Sequence, residues 1–288
     1  MKNILVTGGN GQLGQAIQQI ASQYPQFNLV FTTSAELDIT QPAALETYFA
    51  THQPDACINC AAYTAVDKAE AEEEAAFLLN FQAVLNLSEL CAKNNVQLIQ
   101  LSTDYVFSGR QNVPYTENDD TDPETIYGSS KVRGEAVALG YNPDTIVVRT
   151  SWLYSEFGVN FAKRMRELMQ EKQELKVVFD QTGTPTYAGD LATALLDILQ
   201  YKATHPEAAL GGIYHYSNEG VTSWYDFAVA IKELTQATTA ISPVTSDQYP
   251  TAAKRPAYSV LNKEKIRQTF GITVPYWRDS LIKCLKNI

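Results

Sequence analysis

The chain is poor in the residues that hold metals, with three histidines and four cysteines in 288 residues. His52, His205 and His215 are scattered, and none stands at ligand spacing from another His or from a Cys. No metal site is expected. Cys57 and Cys60 have the redox C-x-x-C spacing, but they fall in the apolar segment Asp55 to Ala62, which reads as a strand. A redox pair sits at a helix N-terminus that stabilises a thiolate, so these two are read as buried structural thiols. Positive charge is also short: 22 Lys and Arg against 32 Asp and Glu leave a net charge of −10. No Lys/Arg cluster is present, which argues against nucleic acid or an anionic membrane as partner. No apolar run approaches the roughly 18 residues of a membrane span. The short apolar run after Met1 leads into a glycine turn rather than a cleavage site, so a cytoplasmic location is expected. Repeats, low-complexity tracts and flexible linkers are absent.

What is present begins at the N-terminus. The strand-like Ile4-Leu5-Val6 runs into Thr7-Gly8-Gly9-Asn10-Gly11-Gln12-Leu13-Gly14, and a helical stretch follows. Strand, glycine turn and helix form the setting of a dinucleotide cradle. Glycine lets the backbone approach a pyrophosphate, and the helix N-terminus offers it unpaired N–H groups. Two registers fit: Gly9, Gly11 and Gly14 as G-x-G-x-x-G, or Gly8, Gly11 and Gly14 as T-G-x-x-G-x-x-G.

The first half alternates strand and helix. Strands are expected at 3–6, 28–32, 55–59, 97–101 and 145–148, and helices at 12–22, 42–51, 68–94 and 126–139. Apolar strands without polar alternation imply burial on both faces, hence an α/β fold with a Rossmann-type doubly wound parallel sheet. The second half is less regular, with helices expected at 161–170, 190–201, 223–234, 263–270 and 277–286, and strands at 175–179 and 213–216. Residues 1–150 are read as the dinucleotide-binding domain, with later segments returning to it. Residues 151–288 are read mostly as a smaller substrate lobe.

Tyr127 and Lys131 stand one helical turn apart, so they share a face. That spacing alone is common by chance. Its position is not, because the pair follows Leu101-Ser102-Thr103 at the end of an apolar run. Ketone reduction needs a hydride at carbon and a proton at oxygen. A tyrosine acid has an ordinary pKa of about 10, and a cation nearby would lower it toward neutral pH. Thr103 can give the same carbonyl oxygen a second hydrogen bond.

The glycine loop, Thr103 and the Tyr127/Lys131 pair together resemble the extended short-chain dehydrogenase/reductases. Finer motifs are similar to those of the dTDP-4-dehydrorhamnose reductases within that family. They are the runs from Asn59 to Glu70, from Ser102 to Gly109, from Arg149 to Tyr154 and from Asp180 to Thr186, with Asn160-Phe161 and Arg255-Pro256. The resemblance implies NAD(P)H-dependent reduction of the 4-keto group of dTDP-4-dehydro-L-rhamnose to dTDP-L-rhamnose, a precursor of cell-surface polysaccharide. It implies Tyr127 as proton donor, Lys131 on the nicotinamide ribose and Thr103 orienting the ketone. Gly8, Gly11, Gln12, Leu13, Gly14, Ala61, Ala62 and Tyr63 would line the cofactor, with Asp38 and Ile39 flanking the adenine. Asp104, Tyr105 and Trp152 would shape the sugar pocket, and Arg255 would face the diphosphate.

Some members hold a divalent metal at a dimer interface through glutamates. Ala16 and Gly189 stand at the corresponding positions here and cannot ligate, so no metal is expected, and both monomer and homodimer stay open. A dehydratase of this fold carries Asp-Glu after the threonine, whereas this chain has Asp104-Tyr105. A related reductase or epimerase and a non-catalytic dinucleotide-binding subunit are the remaining alternatives. At the end of the second strand, Thr32-Thr33-Ser34 supplies neither an acid for NAD nor an arginine for NADP. Small hydroxyls tolerate a 2′-phosphate, which favours NADPH and leaves NADH open.

Overall fold

The computed structural model describes residues 1–288. Six strands make the central sheet: β1 (Lys2–Thr7), β2 (Phe27–Thr32), β3 (Ala56–Asn59), β4 (Gln97–Thr103), β5 (Ile146–Thr150) and β6 (Gly212–His215). Their order across the sheet is β6-β5-β4-β3-β1-β2, and every pairing is parallel. The chain therefore moves outward from β1 to β2 and returns on the other side to β3. That reversal opens a crevice at the C-terminal ends of β1 and β3, where a doubly wound sheet binds its ligand.

Both faces of the sheet are buried, which explains strands that are apolar throughout. On one face Ile4, Val6, Ile58, Ile99 and Val148 pack against α1 (Gln12–Ile20) and a later helix, Ala188–Thr204. On the other, Leu5, Cys57 and Leu98 meet Leu45 and Phe49 of α2 (Pro42–His52) and Leu87 of α3 (Ala83–Lys93). The helix that carries Tyr127 and Lys131 is α4 (Ile126–Tyr141). Beyond it, α5 (Phe161–Glu171), α6 (the 188–204 helix) and α7 (Trp224–Thr235) follow. Helix α6 and strand β6 thus join the central layers although they lie late in the chain. A second core, with Met169, Leu175, Phe227, Ile231 and Leu281, holds the lobe together.

Two elements differ from the sequence expectation. The run 68–94 is not one helix but Val66–Ala69, Glu73–Phe77, a π turn at Leu78–Gln82 and α3. The π turn brings Asn80 inside, where its amide nitrogen donates to Tyr63 O and Ser130 Oγ, both at 3.0 Å. A strand at Ala240–Val244 pairs in parallel with Glu174–Val178 and was not expected, since Pro243 interrupts its pattern. Proline is tolerated there because the strand lies at an edge. The helical stretch Glu73–Lys93 is long and apolar enough by composition to span a membrane. In this fold its Ala83, Leu87, Leu90 and Cys91 face the sheet core.

Candidate active site

The glycine loop sits at the β1/β3 crevice. Gly8 has φ +66°, and a Cβ on it would stand 2.8 Å from Ala61 N. A Cβ on Gly14 would stand 2.7 Å from Gly9 Cα. Both positions admit only glycine, and Gly8, with its positive φ, favours the Gly8–Gly11–Gly14 register. Gly11 caps α1 without any side-chain hydrogen bond, and the first turn holds no acid. The first N–H groups of α1 are therefore open to an anion. Below the loop, Thr7 Oγ1 donates to Asn59 Oδ1 at 2.5 Å, and Asn59 Nδ2 donates to Gln100 Oε1 at 2.8 Å. On the lobe side, Gln12 Oε1 accepts from Ser155 Oγ and Asn160 Nδ2, both at 3.0 Å.

Helix α4 starts at the Thr125 cap, whose hydroxyl accepts from Gly128 N at 3.0 Å. Tyr127 and Lys131 follow on its inner face and are buried, as are Thr103 and Asp104 at the end of β4. The Tyr127 ring meets the Tyr105 ring edge-on, with centroids 5.5 Å apart. Lys131 Nζ donates to Leu101 O at 2.7 Å, and Thr103 Oγ1 donates to Asp104 Oδ1 at 3.0 Å. One cavity of about 540 Å³ joins Gly8, Gly11, Gln12 and Leu13 to Thr103, Asp104, Tyr105, Tyr127 and Lys131. Ala62 and Trp152 line it as well.

Burial governs the charges of this cavity. It pushes Tyr127 up to about 12, with the nearby Thr103 hydroxyl opposing the rise and the Asp104 carboxylate adding to it. It lowers Lys131 to about 8, against the pull of Glu135. It raises Asp104 to about 6, although the nearby Ser259 and Thr103 hydroxyls favour the carboxylate. The expected lowering of Tyr127 by Lys131 is thus not found. Desolvation dominates, and the ammonium is directed at the Leu101 carbonyl instead.

The model of the family described as RmlD substrate binding domain matches residues 1–288. The chain belongs to the RmlD substrate binding domain family. Among the relatives of this RmlD-type chain is a dTDP-4-dehydrorhamnose reductase from Aggregatibacter actinomycetemcomitans, 38% identical, with 100% of this chain and 98% of the relative covered. The spore coat polysaccharide biosynthesis protein SpsK of Bacillus subtilis is 40% identical over the same shares of the two chains. A solved dTDP-4-dehydrorhamnose reductase from Bacillus anthracis, in complex with NADP, superposes with a TM-score of 0.94 at 33% identity, covering 100% of this chain and 99% of that one. One from Clostridium acetobutylicum gives 0.93 at 39% identity, covering 99% and 98%.

Several expected residues of this RmlD-family chain lie outside the cavity lining. Gly14 lies beneath the loop. Ala61 N donates to Thr7 Oγ1 at 3.4 Å, and Tyr63 donates its hydroxyl to Glu72 at 2.6 Å. Asp38 Oδ1 accepts from Thr40 N and Oγ1 at 2.9 and 2.7 Å. The Ile39 side chain is core, packed with Leu5, Leu45 and Phe49. Arg255 is engaged by Asp67, at 3.0 Å from Nη1 to Oδ1 and 2.6 Å from Nη2 to Oδ2. Sequence reading missed the Asp67 pairing, the inward turn of Asn80 and the stacking of Trp224 on Trp152. It also passed over Glu36, which accepts from Thr33 N and Oγ1 just after β2, at 2.8 and 2.9 Å. No three His, Cys, Asp or Glu side chains come together as a metal would require.

Proposed function

We propose that this protein uses NAD(P)H to reduce the 4-keto group of dTDP-4-dehydro-L-rhamnose, giving dTDP-L-rhamnose. The observation that carries the reading is one cavity joining an open glycine cradle to a buried Tyr127, with Thr103 and Lys131 beside it. The cradle fits a dinucleotide, because Gly8 and Gly14 let the loop fold tightly on itself and against Ala61 while α1 presents uncapped N–H groups. Gly8, Gly11, Gln12 and Leu13 would hold the pyrophosphate, with Ala61, Ala62 and Tyr63 along the nicotinamide half and Asp38 and Ile39 near the adenine. NADPH is the favoured cofactor, supported by the NADP complex of the 33% identical relative.

The nicotinamide, when bound, supplies the hydride to the ketone carbon. Tyr127 supplies the proton. A pKa of about 12 keeps that proton on the phenol at neutral pH, and the alkoxide developing on the sugar is the stronger base. Thr103 would turn its hydroxyl proton from Asp104 to the same oxygen, a second hydrogen bond that orients it. Lys131 would turn its ammonium from the Leu101 carbonyl to the ribose and the nascent phenolate, which lowers the cost of leaving negative charge on Tyr127. Asp104, Tyr105 and Trp152 shape the sugar pocket, and Arg255 answers the diphosphate.

Residues 1–150 with α6 and β6 serve the cofactor in this reading, and the remainder forms the sugar lobe. The protein acts in the cytoplasm on a dTDP-sugar, as monomer or homodimer. The test is initial rates of NADPH and NADH oxidation with synthesised dTDP-4-keto-6-deoxy-L-sugar. Turnover to dTDP-L-rhamnose is expected only with the ketone present. Binding of dinucleotide without turnover of any nucleotide-sugar ketone would replace this reading with the non-catalytic one.

A further inference from the structure

Trp152 carries the most unusual backbone of the site. Its φ of +48° places a bulky side chain in the left-handed region, which persists only where the surroundings over-determine it. Here they do. Ser151 Oγ donates to Thr184 O at 2.7 Å, and Thr186 N donates to Trp152 O at 3.1 Å. A Cβ at Gly183 would stand 2.6 Å from the indole, so only glycine lets the ring lie there.

The remaining support is Trp224, the first residue of α7. Its ring stacks on Trp152 with centroids 3.6 Å apart and planes 8° from parallel. Phe161 leans on Trp224 from α5, with centroids 4.5 Å apart. Ser223 caps α7 by accepting from Asp226 N at 3.0 Å, which fixes where the helix and its first side chain begin. Trp152 lines the cavity, whereas Trp224 does not.

We propose that Trp224 is a positioning residue for sugar recognition, acting through Trp152. It holds the Trp152 indole as a flat apolar platform for the C–H-rich face of a 6-deoxy sugar, a role that rests on the nucleotide-sugar reading above. The two indoles lie in full face contact and bury each other's apolar faces, which offsets part of the strain stored in the Trp152 backbone. Without Trp224 the indole loses one wall and the platform loosens. The dinucleotide cradle and the diphosphate contacts are untouched, so the effect belongs to the sugar alone.

The test uses Trp224→Ala and Trp224→Phe in the full chain. Closely stacked indoles give an exciton couplet in far-UV circular dichroism, and this chain has only three tryptophans to contribute to it. Both variants should lose the couplet. Trp224→Ala should raise KM for the dTDP-4-keto-6-deoxy sugar about 3- to 10-fold, the scale of one aromatic pair. Its kcat and the inhibition constant of dTDP alone, which has no sugar, should hold. Trp224→Phe should restore most of KM, because a ring wall returns, and it keeps the test open should the alanine variant fail to fold. A lost couplet with unchanged KM overturns the inference. So does a parallel rise in KM and in the dTDP inhibition constant, which marks general disruption. Wild-type protein that reduces no nucleotide-sugar ketone overturns the parent reading and this inference with it, and that failure appears before any substitution is made.

Discussion

Arg255 and Asp67 lie 188 residues apart and meet through a two-pronged ion pair, fork to carboxylate. Arg255 comes from the loop that follows the Ala240–Val244 strand, and Asp67 from the short helix after β3. The guanidinium holds the Asp67 carboxyl below the usual carboxylate range. Only a planar fork satisfies both oxygens at once. Asp67 thereby fixes the cation that the proposed function assigns to the diphosphate.

Replacing Arg255 with lysine keeps the charge and loses the fork. Hydrogen bonds to charged groups are worth about 1.5–3 kcal/mol, so KM for the dTDP-sugar should rise about 10- to 100-fold. The measurement is steady-state kinetics, with cofactor affinity as control. An unchanged KM would remove Arg255 from diphosphate recognition.

Tyr127→Phe removes the proton and keeps the ring that meets Tyr105. Cofactor binding should survive while kcat falls about 10²- to 10⁴-fold, the usual worth of general acid catalysis. Thr103→Val should be milder, since Tyr127 still reaches the carbonyl. Near-normal kcat in Tyr127→Phe would require another proton source.

These residues are legible in the sequence because their geometry is local. Gly8 to Gly14 lie in one turn, and Tyr127 and Lys131 lie on one helical turn. The strands are legible because burial on both faces writes apolar runs, as in Ala56–Asn59, which is buried throughout. What stays hidden depends on contacts distant in sequence. Trp224 and Asp67 have no local pattern that points to Trp152 and Arg255. The π turn at Leu78–Gln82 is hidden for a similar reason: Asn80 turns inward to reach Tyr63 and Ser130, and helical periodicity records neither partner. Burial also reverses the expected direction of the Tyr127 shift, because sequence spacing places Lys131 on the right face but not its ammonium.

Lys131 should give cofactor binding a pH dependence. Burial lowers it to about 8, from an ordinary 10.5. The ammonium is present below that value and lost above it. NADPH affinity of the free protein should therefore weaken as pH rises through about 8. Lys131→Met should bind weakly at every pH, with no inflexion. An identical pH profile in the variant would assign the inflexion to another group.

Chelation should leave activity unchanged. Ala16 is buried against the α1/α6 core, and a Cβ on Gly189 would meet the Tyr187 ring. Neither position can bring an oxygen ligand to an interface. A large loss with EDTA, restored by magnesium, would contradict this.

Asp104 ties site chemistry to stability. Burial raises its carboxyl from 3.8 to about 6, so between those values the folded protein keeps a proton that the unfolded chain releases. The stability this group contributes is complete below pH 3.8 and is lost as pH rises through about 6. Above that, an ionised carboxylate sits in a buried place, at a cost of about 3 kcal/mol for a shift of about two units. Asp104→Asn removes the charge and keeps the shape. Its melting temperature should exceed that of wild type clearly at about pH 7.5, and by much less at about pH 4.5, where the wild-type group is itself protonated. Thermal melts at both pH values decide the point. A shift of equal size at the two would mean that the asparagine acts through packing and that the buried charge is not what Asp104 costs the fold.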